Sequence, residues 1–78
     1  MGLSGLCDAR GVDHEAAFNK LGWVTRRTGN HIILTSPNVK GVTLSIPNHP
    51  HVKRALLKGL IRKAGLTDEL YMAAFKSL

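Results

Sequence analysis

Trp23-Val24-Thr25-Arg26-Arg27, followed by Thr28-Gly29-Asn30 and then His31-Ile32-Ile33-Leu34-Thr35-Ser36, is the stretch whose reading decides the fold of this 78-residue chain. Both flanking runs are rich in β-formers, and the short polar step between them is a hairpin signal. Pro37-Asn38-Val39-Lys40-Gly41 is the next turn by composition. Beyond it Val42-Thr43-Leu44-Ser45-Ile46 alternates, so Val42, Leu44 and Ile46 are expected to face a core, with Thr43 and Ser45 outward. Connections this short call for antiparallel neighbours, and a three-stranded meander is expected. Two prolines interrupt Pro47-Asn48-His49-Pro50-His51, which ends the last strand.

Working outward, Asp13 is placed to cap a helix running to about Leu21, with Ala17, Phe18 and Leu21 as its apolar stripe and Gly22 as its stop. After the strands, a helix is expected from Val52 or Lys53 to Ala64, buried through Leu56, Leu57, Leu60, Ile61 and Ala64. Gly65 stops it, and Leu66 can pack back on its last turn. Gly59 interrupts this helix at a cost of up to about 1 kcal/mol against alanine, for which close packing is the expected reason. Thr67, Asp68 and Glu69 begin a short final helix that covers the core with Leu70, Tyr71, Ala74 and Phe75. The fold class is therefore α+β, in the order α-β-β-β-α-α, with a three-stranded antiparallel sheet, helices packed on one face and the other face open. Residues 1–12 are Gly-rich and aperiodic, a partly ordered lead-in to a single domain over 13–78.

The net charge of +6 is informative through its distribution. All five acids, Asp8, Asp13, Glu15, Asp68 and Glu69, lie towards the ends, and none occurs between Ala16 and Thr67. That interval carries Lys20, Arg26, Arg27, Lys40, Lys53, Arg54, Lys58, Arg62 and Lys63. A one-sign surface repels itself and suits a polyanionic partner. An anionic membrane fits less well, since no segment joins a basic face to large exposed aromatics and no apolar run approaches a membrane span. A domain this small buries only about 60% of its unfolded surface, so a deep water-free cleft is not expected. Met1-Gly2-Leu3-Ser4-Gly5-Leu6-Cys7 lacks the regions of a signal peptide, and the single Cys7 has no partner for a disulfide or zinc site, so a cytoplasmic protein is expected.

The element order, with a basic stripe of Arg54, Lys58 and Arg62 on the helix after the third strand, is similar to the double-stranded-RNA-binding fold. Four motifs narrow the likeness: Lys20-Leu21-Gly22-Trp23, Gly29-Asn30-His31, Ile46-Pro47-Asn48-His49-Pro50 and Leu60-Ile61-Arg62-Lys63-Ala64-Gly65-Leu66. In this order the chain resembles the HicA family of mRNA-cleaving toxins over about residues 18–67. Family members commonly carry a Ser-Gly pair one helix before the Leu-Gly step. Here Ser4-Gly5 stands further upstream, so either the first helix is longer or residues 6–13 are an insertion.

The resemblance implies a type II toxin acting as a metal-independent endoribonuclease, without cofactor, held inactive by a HicB-like antitoxin that covers the His31 face. It also implies that His31, at the Gly-x-His position, is the catalytic residue, with Gly29, Asn30 and His49 in support. Imidazole suits the proton transfers of RNA cleavage because its unperturbed pKa near 6.5 leaves both forms available at neutral pH. On the strand alternation Ile32 and Leu34 face the helices and His31 the open face. Ile33 shares that face, so either the face is partly apolar or the alternation fails. Gly29 would let an RNA backbone approach closely. His49 is a phosphate contact or a second proton-transfer group, or else a loop residue held between Pro47 and Pro50 that orients the next helix. His14 and His51 are read as bystanders, and Trp23 as core. The expected RNA contacts are Arg54, Lys58, Arg62 and Lys63, extended along the hairpins by Arg26, Arg27 and Lys40, mainly to phosphate. Two other classes fit the same charge pattern: a non-catalytic RNA-binding module, and a basic protein-interaction subunit.

Overall fold

Glycines close two of the three helices, and both do so in the same way. The computed structural model describes residues 9–78, and runs α1 (Gly11–Lys20), β1 (Val24–Thr28), β2 (His31–Ser36), β3 (Val39–Pro47), α2 (Arg54–Lys63) and α3 (Asp68–Lys76). After α1, Gly22 takes φ +96°; the Trp23 N–H then donates to Phe18 O at 3.0 Å and the Gly22 N–H to Asn19 O at 3.1 Å. After α2, Gly65 takes φ +74°, with Leu66 N–H donating to Ile61 O at 3.0 Å and Gly65 N–H to Arg62 O at 2.9 Å. These are Schellman closures, which need a left-handed residue that glycine supplies without a Cβ clash. Thr67 caps α3 as expected, its hydroxyl accepting from Leu70 N at 3.1 Å.

The first helix begins earlier than the sequence suggests. Arg10, not Asp13, is the N-cap, and Asp13 sits one turn inside as the acid of a capping box. Its carboxylate accepts from the Arg10 backbone N–H at 3.0 Å and from the Arg10 guanidinium at 3.2 Å. These bonds hold the Asp13 carboxyl below the usual carboxylate range. The start at Gly11 falls inside the stretch expected as a lead-in. The remainder of that stretch through residue 8, including Ser4-Gly5 and Cys7, lies outside the described residues.

The sheet is the expected meander, in the order β1-β2-β3 with both pairs antiparallel. Ile32 and Leu34 stand opposite Ile46 and Leu44, and all four are fully buried. The third strand starts at Val39 rather than Val42 because Pro37-Asn38 alone makes the turn. The pairing then passes from Ser36 with Val39 to Thr35 with Thr43, and Gly41 at φ +79° lies in that irregularity. Such an offset is where a left-handed glycine is needed.

The inner face of the sheet is covered by α1, which lies against all three strands, and by α2, which lies against β3; α3 packs on α1 and α2. Trp23 is in this core. Leu56 and Leu70 are not: both are exposed, at the margins of the stripes formed by Leu57, Leu60 and Ile61 on α2 and by Tyr71 and Ala74 on α3. His14 belongs to the interior. It is fully buried, with Nδ1 2.5 Å from the Tyr71 hydroxyl, and its ring stacks with Tyr71 and lies tilted against Phe75. Burial pushes the Tyr71 phenol above its ordinary range, so it stays protonated in this bond. Gly59, finally, has no close neighbour: a Cβ there would meet nothing within 4 Å, so close packing is not its reason.

Three outcomes follow from these contacts. Tyr71→Phe removes the hydrogen bond between the Tyr71 hydroxyl and the buried Nδ1 of His14 and lowers unfolding free energy by about 1–3 kcal/mol in urea titrations. Gly59→Ala raises stability by up to about 1 kcal/mol, read as a higher thermal midpoint. The Asp13 capping contribution is present above the unfolded carboxylate pKa and is lost as pH falls through the lower folded one. The stability gap between the native chain and Asp13→Asn therefore closes on going from pH 7 to strongly acidic solution.

Candidate functional site

His31 is the first residue of the central strand, where the β1–β2 turn delivers it. With Ile32 and Leu34 buried on the inner side, period-2 geometry puts His31 on the outer face, and it is exposed. It lines an open groove of about 280 Å³ together with Arg27, Gly29, Asn30 and Ile33. Ile33 is half-buried there, so the alternation holds and the face is partly apolar. The Gly29 N–H donates to His31 O at 3.1 Å, closing the turn. A Cβ at Gly29 would meet nothing within 4 Å, so the space beside the turn is open.

What holds this turn comes from a distant part of the chain. The Asn48 backbone N–H donates to Asn30 O and its side-chain Nδ2 to Gly29 O, both at 3.0 Å. The loop carrying Asn48 is in turn fixed to α1, because the Gly11 N–H donates to His49 O at 3.0 Å. Gly11 is needed for this: a Cβ there would overlap the Pro47 carbonyl oxygen. Neither Asn48 nor Gly11 is legible as a site residue from spacing. The prolines around Asn48 are the one local signal that the loop has a fixed shape.

A β-bulge sets the charge of the groove. The β1–β2 register shifts between Thr25 and Arg27, leaving Arg26 as the extra residue. Regular alternation would turn one of two consecutive arginines inward. With the bulge, Arg27 stands opposite Ile33 and lines the His31 groove. Arg26 also reaches the outer face, where its Nε donates to Thr35 Oγ1 at 2.9 Å. No acid occurs between Ala16 and Thr67, so the strands bring no carboxylate to this face.

The other expected contacts are placed elsewhere. His49 is exposed but lines a separate groove of about 300 Å³ with Arg10, Val12, Asn48 and Pro50. Lys40 follows the β2–β3 turn, at the opposite end of the sheet from His31, about 17 Å away at the rise of an extended strand. Arg54, Lys58, Arg62 and Lys63 are exposed on α2, in the layer that covers the inner face of the sheet. The arrangement thus gathers His31, Arg26 and Arg27 on one face and distributes the remaining cations over the end and the helical side. His51 is exposed in the loop before α2.

Among the described residues, no three of His, Cys, Asp and Glu come together as a metal-holding group, and no helix is long and apolar enough to cross a membrane. Comparison with curated proteins gives no match. A family model described as the HicA toxin of bacterial toxin–antitoxin systems matches residues 11–66. That span runs from the glycine that starts α1 to the leucine that closes α2, and includes the sheet, the His31 turn and the Asn48 loop. With well over half of its length matched in this way, the chain belongs to the HicA toxin family.

Proposed function

We propose that this protein is the mRNA-cleaving member of a toxin–antitoxin pair and that His31 is its catalytic residue. The observation that carries the reading is the placement of an exposed histidine, beside an arginine, on a braced turn of a carboxylate-free sheet face.

The reaction fits an open site. As His31 accepts the proton of an RNA 2′-hydroxyl, the 2′-oxygen bonds to phosphorus and the bond from phosphorus to the 5′-oxygen breaks. In-line displacement sets the two oxygens on opposite sides of phosphorus, so one imidazole serves one of them. Water protonates the departing 5′-oxygen, and the imidazolium returns its proton to solvent. The products are a 2′,3′-cyclic phosphate and a free 5′-hydroxyl, and no metal takes part. General base help of this kind supplies roughly 10²–10⁴-fold. The His31 groove is open to water, which suits a slow enzyme with an abundant substrate. The wider set of cations attracts the polyanion with little reading of base sequence.

The partner that restrains such a toxin has to cover the His31 groove. A HicB-like antitoxin presenting carboxylates there meets the complementary charge. Since the substrate is mRNA, the place of action is the cytoplasm.

The test is cleavage of single-stranded RNA by the purified chain in the presence of a chelator. The native protein cleaves, and His31→Ala is slower by on the order of 10²-fold or more with its thermal midpoint little changed, as expected for an exposed side chain. Cleavage that survives the substitution removes His31 from the mechanism. Salt-sensitive binding with no cleavage by the native chain makes it an RNA-binding module instead.

A further inference from the structure

We propose that Arg27 holds the scissile phosphate beside His31, which makes the site a histidine–arginine pair rather than a lone histidine. The inference rests on the ribonuclease reading above and assigns the second group that reaction needs.

Placement is the first argument. Arg27 pairs with Ile33 across β1 and β2, two residues along the same face from His31, and both side chains line one groove. It is there only because of the bulge at Arg26. A bulge disrupts the ladder and re-aims a side chain, and bulges are frequent beside active sites.

Availability is the second. Arg10 is paired with Asp13, and Arg26 is fastened to Thr35. Arg27 is the exposed guanidinium of this face that no acceptor among the described residues engages.

Chemistry is the third. When the 2′-oxygen attacks, the negative charge on the non-bridging oxygens rises towards the phosphorane. An imidazole acting on the 2′-hydroxyl does nothing for that charge. A guanidinium presents paired N–H donors matched to two phosphate oxygens and keeps its proton throughout. It therefore stabilises the transition state more than bound RNA, which is the condition for raising kcat.

Single-turnover cleavage of one RNA by the native chain, Arg27→Ala, Arg27→Gln, Arg27→Lys and Arg26→Ala tests this. The expected result is a loss in the rate at saturating RNA on the order of 10²-fold for Arg27→Ala and Arg27→Gln. Arg27→Lys recovers part of it, because charge returns without the fork. KM moves only a few-fold in these variants, whereas Arg26→Ala shows its effect in KM and in salt dependence. A phosphorothioate at the cleaved linkage slows the native chain and has a much smaller effect on Arg27→Ala. Two folded Arg27 variants, checked by thermal unfolding, guard against loss of structure. If the saturating rate is retained while only KM and the salt slope change, Arg27 is an outlying phosphate contact and the proposal is overturned. If the native chain itself does not cleave RNA, the ribonuclease reading falls first and takes this one with it.

Discussion

Two neighbouring carbonyls, those of Gly29 and Asn30, both point at Asn48, and its backbone and side-chain donors satisfy them together. Without that pairing the β1–β2 turn would be a surface loop held only by its own strands, with the orientation of His31 left to solvent. With it, the turn is fixed to the β3–α2 loop, and that loop is fixed to the first turn of α1 through Gly11 and His49. Three segments far apart in sequence thus converge on one site. Each bond is of modest net worth, about 1 kcal/mol, but catalysis depends on geometry more than on stability. A base displaced by about 1 Å from its proton loses much of its effect.

The same convergence separates the two histidines that sequence spacing brings close. His31 opens into a groove on the sheet face, and His49 into a groove against Arg10 and Val12, with Asn48 between them. Two proton-transfer groups on opposite sides of one phosphate would have to share a groove. In the groove of His31 the neighbouring ionisable side chain is Arg27 instead. The two-layer fold also holds the cations of α2 on the other side of the sheet from His31, and Lys40 lies at the far end of the sheet.

Helix ends and strand faces were legible because their causes are local. Gly22 and Gly65 must be left-handed for a Schellman closure, and the alternation in β2 and β3 has one buried face to satisfy. The misread positions depend on partners far along the chain. The first turn of α1 is tied to the distant His49 carbonyl through the Gly11 N–H, so a cap search stopping at Asp13 finds the right carboxylate in the wrong role. Leu56 and Leu70 carry apolar side chains at the edges of their stripes, where one step of helical rotation decides burial. The bulge at Arg26 left no mark in Thr25-Arg26-Arg27-Thr28. His31 was found by its place in a Gly-x-His motif, whereas Asn48 could be found only once the loop and the turn were seen to meet.

The most instructive residue in this respect is His14. Nothing beside it in the sequence, with Asp13 and Glu15 as neighbours, marks it as interior, yet it is fully buried and hydrogen-bonded to Tyr71. The signal was not absent but distant: Tyr71 lies 57 positions away, beyond the residues 11–66 that the family model matches. The helix that carries it packs on α1 and α2 rather than on the sheet. Its Tyr71 ring lies 4.9 Å from that of Phe18, and Lys20 at the end of α1 donates to Ser77 just past α3. The third helix therefore does for the back of the core what Asn48 does for the front. It ties a short element to α1 by polar contacts at its ends and apolar ones between. In a domain with this little interior, both faces of α1 are in use, one setting the loop behind His31 and the other closing the core. A change at either face of α1 is thus expected to be felt at the other, since one rigid ten-residue helix transmits both constraints.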